Sequence, residues 1–231
     1  MRSCAPTRCH EGEPMNVFDY LASSWPELLQ LTLQHVWLVA IAVGCAIVAG
    51  VPLGILINRH DWLAGPLLGI ATLVLTLPSI ALFGLMIPFF SRFGQGIGAA
   101  PAITAVFLYS LLPIMRNTYL ALHNVDAGIK EAGTGIGMTS WQRLRLVDLP
   151  LAVPVILAGV RTAVVMNIGV MTIAAVIGAG GLGTLILRAI GQSSMMKLLV
   201  GAVLVSLLAI VADRLLQMLQ RALTPKGVQK T

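Results

Sequence analysis

The longest polar interval of this sequence reads Glu131-Ala-Gly-Thr-Gly-Ile-Gly-Met-Thr-Ser-Trp-Gln-Arg-Leu-Arg-Leu-Val-Asp-Leu-Pro150 and lies between strongly apolar stretches. Residues 131–136 predict a short helix, and Gly137 permits a tight turn because glycine adopts left-handed backbone angles at little steric cost. Ser140 is a candidate cap for a second helix that runs to Asp148. Pro150 then begins the next segment, since proline is tolerated in the first turn of a helix. The interval, which we call the 131–150 segment, therefore predicts a water-exposed helix-turn-helix.

The sequence around this segment is typical of a membrane protein. Of 231 residues, 57% are hydrophobic and only 10% are charged, whereas ordinary globular domains have about 25% charged residues. The mean hydropathy is +0.89. The apolar stretches are long and do not alternate in runs of about ten residues, which favours helices over a transmembrane barrel. We therefore predict an all-α integral membrane protein.

The apolar stretches predict about five spanning helices, because about 20 residues are needed to cross the hydrocarbon core. Pro78 and Pro88 predict kinks within the second span. The interval 153–187 is too long for one unbroken crossing, so we expect its first part to belong to the approach of the 131–150 segment to the bilayer. The predicted spans cover residues 36–57, 66–90, 102–122, part of 153–187 and 198–219.

The ends of the chain differ from this membrane domain. Residues 15–33 are amphipathic and contain no Lys or Arg, which predicts a helix on the membrane surface before the first span. Residues 1–14 are polar and lack the apolar core of a signal peptide, so we expect a disordered tail or an extension from an upstream start site. The predicted organisation is a tail and interfacial helix over 1–29, a transmembrane domain over 30–222 and a cytoplasmic tail over 223–231.

The basic residues indicate the orientation. When residues 58–65, 116–149 and 214–231 are assigned to one side, that side carries nine Lys or Arg residues against three on the other side. Loops on the cytoplasmic side of membrane proteins are enriched in these residues. The 131–150 segment and the C-terminus are therefore predicted to be cytoplasmic. The nine are Arg59, Arg116, Lys130, Arg143, Arg145, Arg214, Arg221, Lys226 and Lys230, and the three are Arg92, Arg188 and Lys197.

Several other function classes are not supported. The formal charge of +6 is spread among apolar spans and forms no continuous basic patch, so we expect no nucleic-acid partner. Cys4, Cys9 and His10 match no zinc-ligand spacing, so no metal site is predicted. The histidines form no H-E-x-x-H pair and no G-x-S-x-G is present. We therefore predict a non-catalytic chain.

Two glycine-rich stretches resemble nucleotide-binding motifs only superficially. Residues 178–183 satisfy G-x-G-x-x-G, but that motif needs a preceding strand and an acidic residue about 20 positions later. An apolar stretch precedes it here, and the next carboxylate is Asp213. The glycines of the 131–150 segment are not followed by Gly-Lys-Ser/Thr, which a phosphate-binding loop requires. The chain is therefore not expected to bind ATP itself.

Three polar residues lie within the apolar interval that follows Pro150. Ionisable groups inside a membrane are candidates for functional sites, and Arg161 is therefore a candidate for a pathway or gating role. Its position also allows the side chain to reach the cytoplasmic interface. Asn167 and Thr172 are candidates for the same role or for hydrogen bonds between helices.

The 131–150 segment resembles the EAA loop of ABC-importer permeases, whose pattern is E-A-A, three residues, G, nine residues and I-x-L-P. This sequence has Glu131, Ala132, Gly137, Leu149 and Pro150 at the matching positions. It departs from the pattern in having Gly133 for alanine and Val147 for isoleucine. The resemblance implies that these residues, together with Arg143 and Arg145, couple the chain to an ATPase.

Three further stretches are similar to permeases that import glycine betaine, choline, carnitine and related osmoprotectants. The resemblance implies a bacterial inner-membrane permease of the type I importer fold, with the coupling helix-turn-helix between the third and fourth spans. It also implies a cytoplasmic ABC ATPase that binds ATP and magnesium, a second permease subunit that is the same chain or a paralogue, and an extracytoplasmic substrate-binding protein. The stretches are residues 76–84, 112–118 and 176–184.

Two alternative functions are compatible with the residues. The same loop serves importers of other small solutes, such as methionine or sulfonates. An ATP-independent secondary transporter or channel belongs to a different class, and it would need charged residues within its spans. The scarcity of such residues counts against that class.

Overall fold

The computed structural model describes residues 17–224, with side chains from residue 20, and all regular structure in this part of the chain is helical. The predicted all-α fold is therefore confirmed. A π-helical turn, Leu144–Asp148, precedes α7, and a 3-10 turn, Ala174–Ile177, follows it. The helices are α1 (Val17–Arg59), α2 (Asp61–Thr76), α3 (Ser79–Ser91), α4 (Ala99–His123), α5 (Ala127–Gly135), α6 (Ser140–Arg143), α7 (Leu149–Ile173), α8 (Leu182–Gly191) and α9 (Met195–Leu223).

The predicted number of about five spans is also confirmed. Four helical segments of the described chain are long and apolar enough to cross a membrane, and they contain α1, α4, α7 and α9. The bent pair α2 and α3 brings the number to five when the pair is counted as one span. The tails predicted for residues 1–14 and from residue 225 onward lie outside the described residues.

The second span is broken and does not simply kink at its prolines. The axes of α2 and α3 differ by 102°, and Pro78 is the N-cap of α3. A proline cannot donate a backbone hydrogen bond, so the break frees carbonyl groups of the preceding turn. The Tyr109 hydroxyl donates to one of them, the Leu77 carbonyl oxygen, at 2.6 Å. Pro88 lies inside α3 without ending it.

The first helix corrects the prediction of a separate surface helix over residues 15–33. Helix α1 is continuous over 43 residues, which corresponds to about 64 Å, and it therefore extends beyond a hydrocarbon core of about 30 Å. Residues 27–43 contain neither glycine nor proline to interrupt it. Tyr20 and Leu28 are buried against Leu185 and Val200 of α8 and α9. The boundary predicted at residues 29 and 30 thus falls inside one helix.

The fourth span also differs from the prediction. Helix α7 starts at Leu149, directly after Asp148 of the 131–150 segment, and ends at Ile173. The excess length of the interval 153–187 lies at the other end, where α8 is a separate short helix. The chain between α7 and α8 turns through Gly178, Gly180 and Gly181, which have positive φ angles of 76°, 88° and 72°.

Helix α4 is at the centre of the bundle and packs against α1, α2, α3 and α7. Its buried residues include Ala102, Ala105 and Val106, which are fully excluded from solvent. Small residues allow neighbouring helices to approach closely, as is usual in membranes. At Gly54 of α1 an added Cβ would lie 2.5 Å from the Thr118 Cβ and 2.9 Å from the Met115 carbonyl oxygen. The α1–α4 contact therefore depends on the absence of a side chain at residue 54.

This packing predicts that Gly54→Ala destabilises the bundle, because overpacking a closely packed contact costs about 1–3 kcal/mol. The measurement is the thermal unfolding temperature of the purified protein in detergent, which should fall. Gly44→Ala in the same helix is the matched control, since a Cβ at residue 44 meets no atom within 4 Å. Equal unfolding temperatures for the two variants would contradict the role given to Gly54.

Candidate functional site in the 131–150 segment

The polar residues after α4 form a compact helix-turn-helix at one end of the bundle, which we call the loop end. Helix α5 begins at Ala127, four residues before the predicted start, because the Asp126 carboxylate caps it by accepting from the Ile129 N–H at 3.2 Å. The Lys130 ammonium donates to the carbonyl oxygens of Leu122 and His123 at 3.1 and 3.2 Å. Lys130 thereby ties α5 to the last turn of α4.

The turn lies where the sequence predicts it. Gly137 has a φ of +82°, which is costly for any residue with a Cβ. The Gly137 N–H donates to the Thr134 carbonyl oxygen at 3.0 Å, and the Met138 N–H donates to the Gly133 carbonyl oxygen at 3.1 Å. These bonds close the C-terminus of α5 in a tight reversal.

The cap of the second helix is Thr139 and not Ser140, which is the first residue of α6. The Gln142 N–H donates to the Thr139 hydroxyl at 3.3 Å, and the Thr139 N–H donates to the Gln142 side-chain oxygen at 2.8 Å. This reciprocal pair is a capping box. The sequence signal Thr139-Ser-Trp-Gln142 was present and could have identified the correct cap.

The second helix does not end at Asp148 as predicted. Helix α6, the π turn, α7 and the 3-10 turn after it form one helical stretch from Ser140 to Ile177, 38 residues long and about 57 Å in length. The wide turn at Leu144–Asp148 ends two residues before Pro150, which removes one backbone donor and crowds the carbonyl four residues earlier. The second arm of the 131–150 segment is therefore a direct extension of a spanning helix.

The Arg143 side chain forms an ion pair within the second arm and also contacts Thr134 of the first arm. The Arg143 Nε donates to the Asp148 Oδ2 at 3.4 Å, and an Arg143 terminal nitrogen lies 3.5 Å from the Thr134 hydroxyl. Asp148 is buried. An added Cβ at Gly133 would meet the Arg143 side chain at 3.4 Å, which is ordinary van der Waals contact. The alanine of the EAA pattern would thus fit at residue 133.

The outer surface of the segment combines charge with exposed apolar side chains. Glu131, Ala132 and Arg145 are exposed, and a shallow cavity is lined by Lys130, Glu131, Thr134, Gly135 and Arg143. Exposed apolar groups in a polar setting mark surfaces that bind other proteins. The exposed apolar side chains are Ile129, Ile136, Trp141 and Leu146.

The three candidate pathway residues do not form one site. Arg161 makes a bidentate ion pair with Asp213 of α9, in which its Nη2 lies 2.8 Å from Oδ2 and its Nε contacts Oδ1. Asp213 thus pairs with a residue of another helix and not with its sequence neighbour Arg214. Asn167 is buried and donates to the Ser110 hydroxyl of α4 at 2.7 Å. Thr172 donates to the Gly169 carbonyl oxygen of its own helix at 2.7 Å.

The described chain is a membrane bundle in which one spanning helix extends into an exposed helix-turn-helix. This chain belongs to the family described as the binding-protein-dependent transport system inner membrane component, whose profile matches residues 46–225. It is therefore a multi-pass inner-membrane transport permease subunit.

Curated relatives cover nearly the whole chain. The chain is 63% identical to the osmoprotectant import permease protein OsmW of Salmonella typhimurium, over 93% of this chain and 100% of the relative. It is 42% identical to the glycine betaine/carnitine/choline transport system permease protein OpuCB of Bacillus subtilis, over 92% of this chain and 96% of the relative.

The fold also matches solved structures. An inward-facing structure of the MetNI methionine ABC transporter superimposes with a TM-score of 0.79 at 24% identity, over 88% of this chain and 99% of that chain. This likeness confirms the type I importer permease fold.

The Arg161–Asp213 pair yields a prediction about the α7–α9 contact. Asp213→Asn should lower the thermal unfolding temperature, because it leaves the guanidinium without its charged partner. The exchanged pair Arg161→Asp with Asp213→Arg should recover part of the loss. Asp61→Asn at the exposed start of α2 is the control. An Asp213→Asn variant as stable as this control would contradict the prediction.

Proposed function

We propose that this chain is the permease subunit of an ATP-driven importer of osmoprotectants such as glycine betaine, choline or carnitine. The relatives at 63% and 42% identity are permeases for osmoprotectants and for glycine betaine, carnitine and choline, which supports this substrate class. The methionine transporter shares only 24% identity, so its substrate does not carry over.

The observation that carries the proposal is the continuity of α6 with α7. An ATPase that grips the 131–150 segment and moves it would move a spanning helix directly, with no flexible linker between them. The turn at Gly137 and the capping box at Thr139 fix the angle between the two arms. Glu131 and Arg145 are exposed and provide charged contacts to the ATPase, while Arg143 connects the second arm to Thr134 of the first arm.

The proposed assembly contains three kinds of component besides lipid. Two permease subunits, which are two copies of this chain or a pair with a paralogue, enclose the pathway. A cytoplasmic ABC ATPase binds ATP and magnesium, and an extracytoplasmic binding protein delivers the solute. On this proposal the ATPase, and not this chain, holds the nucleotide and the magnesium. Its loop end is cytoplasmic, as the distribution of basic residues predicts.

Gly137→Val is expected to reduce ATP-driven uptake by about tenfold or more, because a β-branched residue in left-handed conformation strains the turn and redirects α6. The measurement is uptake of radiolabelled glycine betaine by the complete transporter in proteoliposomes, together with the amount of inserted permease. Gly65→Val in α2 is the control, since residue 65 is also open to solvent but has no positive φ. Equal uptake by the two variants would remove the coupling role from the turn.

The orientation gives an independent prediction. With the native cysteines replaced by serine, Ser140→Cys should react with a membrane-impermeant maleimide only from the cytoplasmic side. Ser193→Cys, in the exposed turn at the opposite end of the bundle, should react only from outside. Labelling of residue 140 in intact cells would contradict the proposed orientation.

A further inference from the structure

The end of α7 opposite the loop end contains the most deformable backbone of that helix. The 3-10 turn Ala174–Ile177 is followed by glycines 178, 180 and 181, all with positive φ; we call residues 174–181 the elbow. A 3-10 turn has poorer hydrogen-bond geometry than an α-helix, and glycine rotates more freely than other residues. A displacement of α7 would therefore be absorbed at the elbow.

The helix after the elbow is held in place by α1. The Arg188 guanidinium of α8 pairs with the Glu27 carboxylate of α1 at 2.7 Å. Leu185 of α8 is buried with Tyr20 and Leu28 of α1. When α7 moves relative to α1, α8 is thus retained, and the elbow must change its conformation.

Two adjacent residues of α1 contact the elbow and the last turns of α7. The Gly181 N–H donates to the Gln34 side-chain oxygen at 3.1 Å, and the Gln34 amide nitrogen lies 3.5 Å from the Ala179 carbonyl oxygen. The buried His35 donates through Nε2 to the Ile168 carbonyl oxygen at 3.1 Å. These contacts connect α1 to both sides of the deformable backbone.

The surfaces of α1 and the elbow are in tight contact. A Cβ built on Gly180 would lie 2.2 Å from the Gln34 amide nitrogen, and one on Gly181 would lie 3.0 Å from the His35 Nδ1. On the other side, the Gly98 N–H donates to the Ile177 carbonyl oxygen at 2.9 Å. The elbow thus contacts α1 and the turn before α4, and a movement away from them requires these hydrogen bonds to break.

We propose that Gln34 and His35 are positioning residues that hold the elbow closed against α1 and release it when α7 moves during transport. This inference rests on the proposed importer function. Gln34 and His35 then determine how often the extracytoplasmic end of the permease opens without a signal from the ATPase. Weakening them should open that end in the resting transporter and raise ATP hydrolysis in the absence of the binding protein.

The test uses the complete transporter with Ala179→Cys as a buried reporter in a permease lacking its native cysteines. Adding Gln34→Ala should accelerate labelling of residue 179 by an external impermeant maleimide by about two- to tenfold, which corresponds to the loss of one ordinary hydrogen bond. Binding-protein-independent ATP hydrolysis should rise in parallel. His35→Ala should act in the same direction, and His35→Gln, which retains a donor, should recover part of the protection.

Gln30→Ala, one turn away on the exposed surface of α1, is the matched control for Gln34→Ala. Ser193→Cys serves as an exposed reporter that should label equally in all backgrounds. If Gln34→Ala and Gln30→Ala give the same labelling rate at residue 179, the proposal is overturned. If the parent complex shows no ATP-driven uptake, the proposed function fails, whatever the labelling rates are. Faster labelling of residue 179 in the Gln34→Ala variant, together with ATP-driven uptake by the parent complex, supports both the role of Gln34 and the proposed importer function.

Discussion

The structure depends on the requirement that backbone polar groups be paired inside a membrane, where water is not available to replace a lost hydrogen bond. Breaks in spanning helices are therefore tolerated only where another part of the chain supplies a partner. At the break after α2, the Tyr109 hydroxyl donates to the Leu77 carbonyl oxygen at 2.6 Å. At the break after α7, the Gly98 N–H donates to the Ile177 carbonyl oxygen, and the Gln34 side-chain oxygen accepts from the Gly181 N–H. Both irregular places are thus stabilised by specific side chains or turns.

The same requirement explains how the loop end can be mechanically connected to the bundle. A helix has all its interior backbone groups paired within itself, so α6 and α7 can continue from water into lipid without a break. The π turn before Pro150 changes the local pitch but does not interrupt the stretch from Ser140 to Ile177. Deformation is displaced to the far end of α7, where the elbow lies. On the proposed function, α7 thus transmits movement at its loop end, and its backbone deforms at the opposite end.

Composition and spacing were sufficient to predict the helical class, the span count and the turn at Gly137, because each follows from local chemistry. Long-range pairs were not predictable in this way. Asp213 is adjacent to Arg214 in sequence, but it pairs with Arg161, 52 residues away, because α7 and α9 pack together. The contact of Gln34 with Gly181 spans 147 residues. The amphipathic pattern of residues 15–33 predicts a separate surface helix. Helix α1 is nevertheless continuous, because no glycine or proline between residues 27 and 43 interrupts it.

The buried polar residues of the described chain also bear on where selectivity arises. Ser110 and Thr118 donate to carbonyl oxygens of their own helix, and Asn167 donates to Ser110. His35 is engaged by the α7 backbone. Each of these residues makes a hydrogen bond to the backbone or to another of them, although Asn167 Oδ1 and His35 Nδ1 have no partner, and they do not line a common cavity. A quaternary ammonium ligand is best held by aromatic faces, yet the buried Tyr109 uses its hydroxyl at the α2–α3 break. On the proposed function, the arrangement therefore assigns solute selection to the binding protein and leaves this permease to provide the gated path.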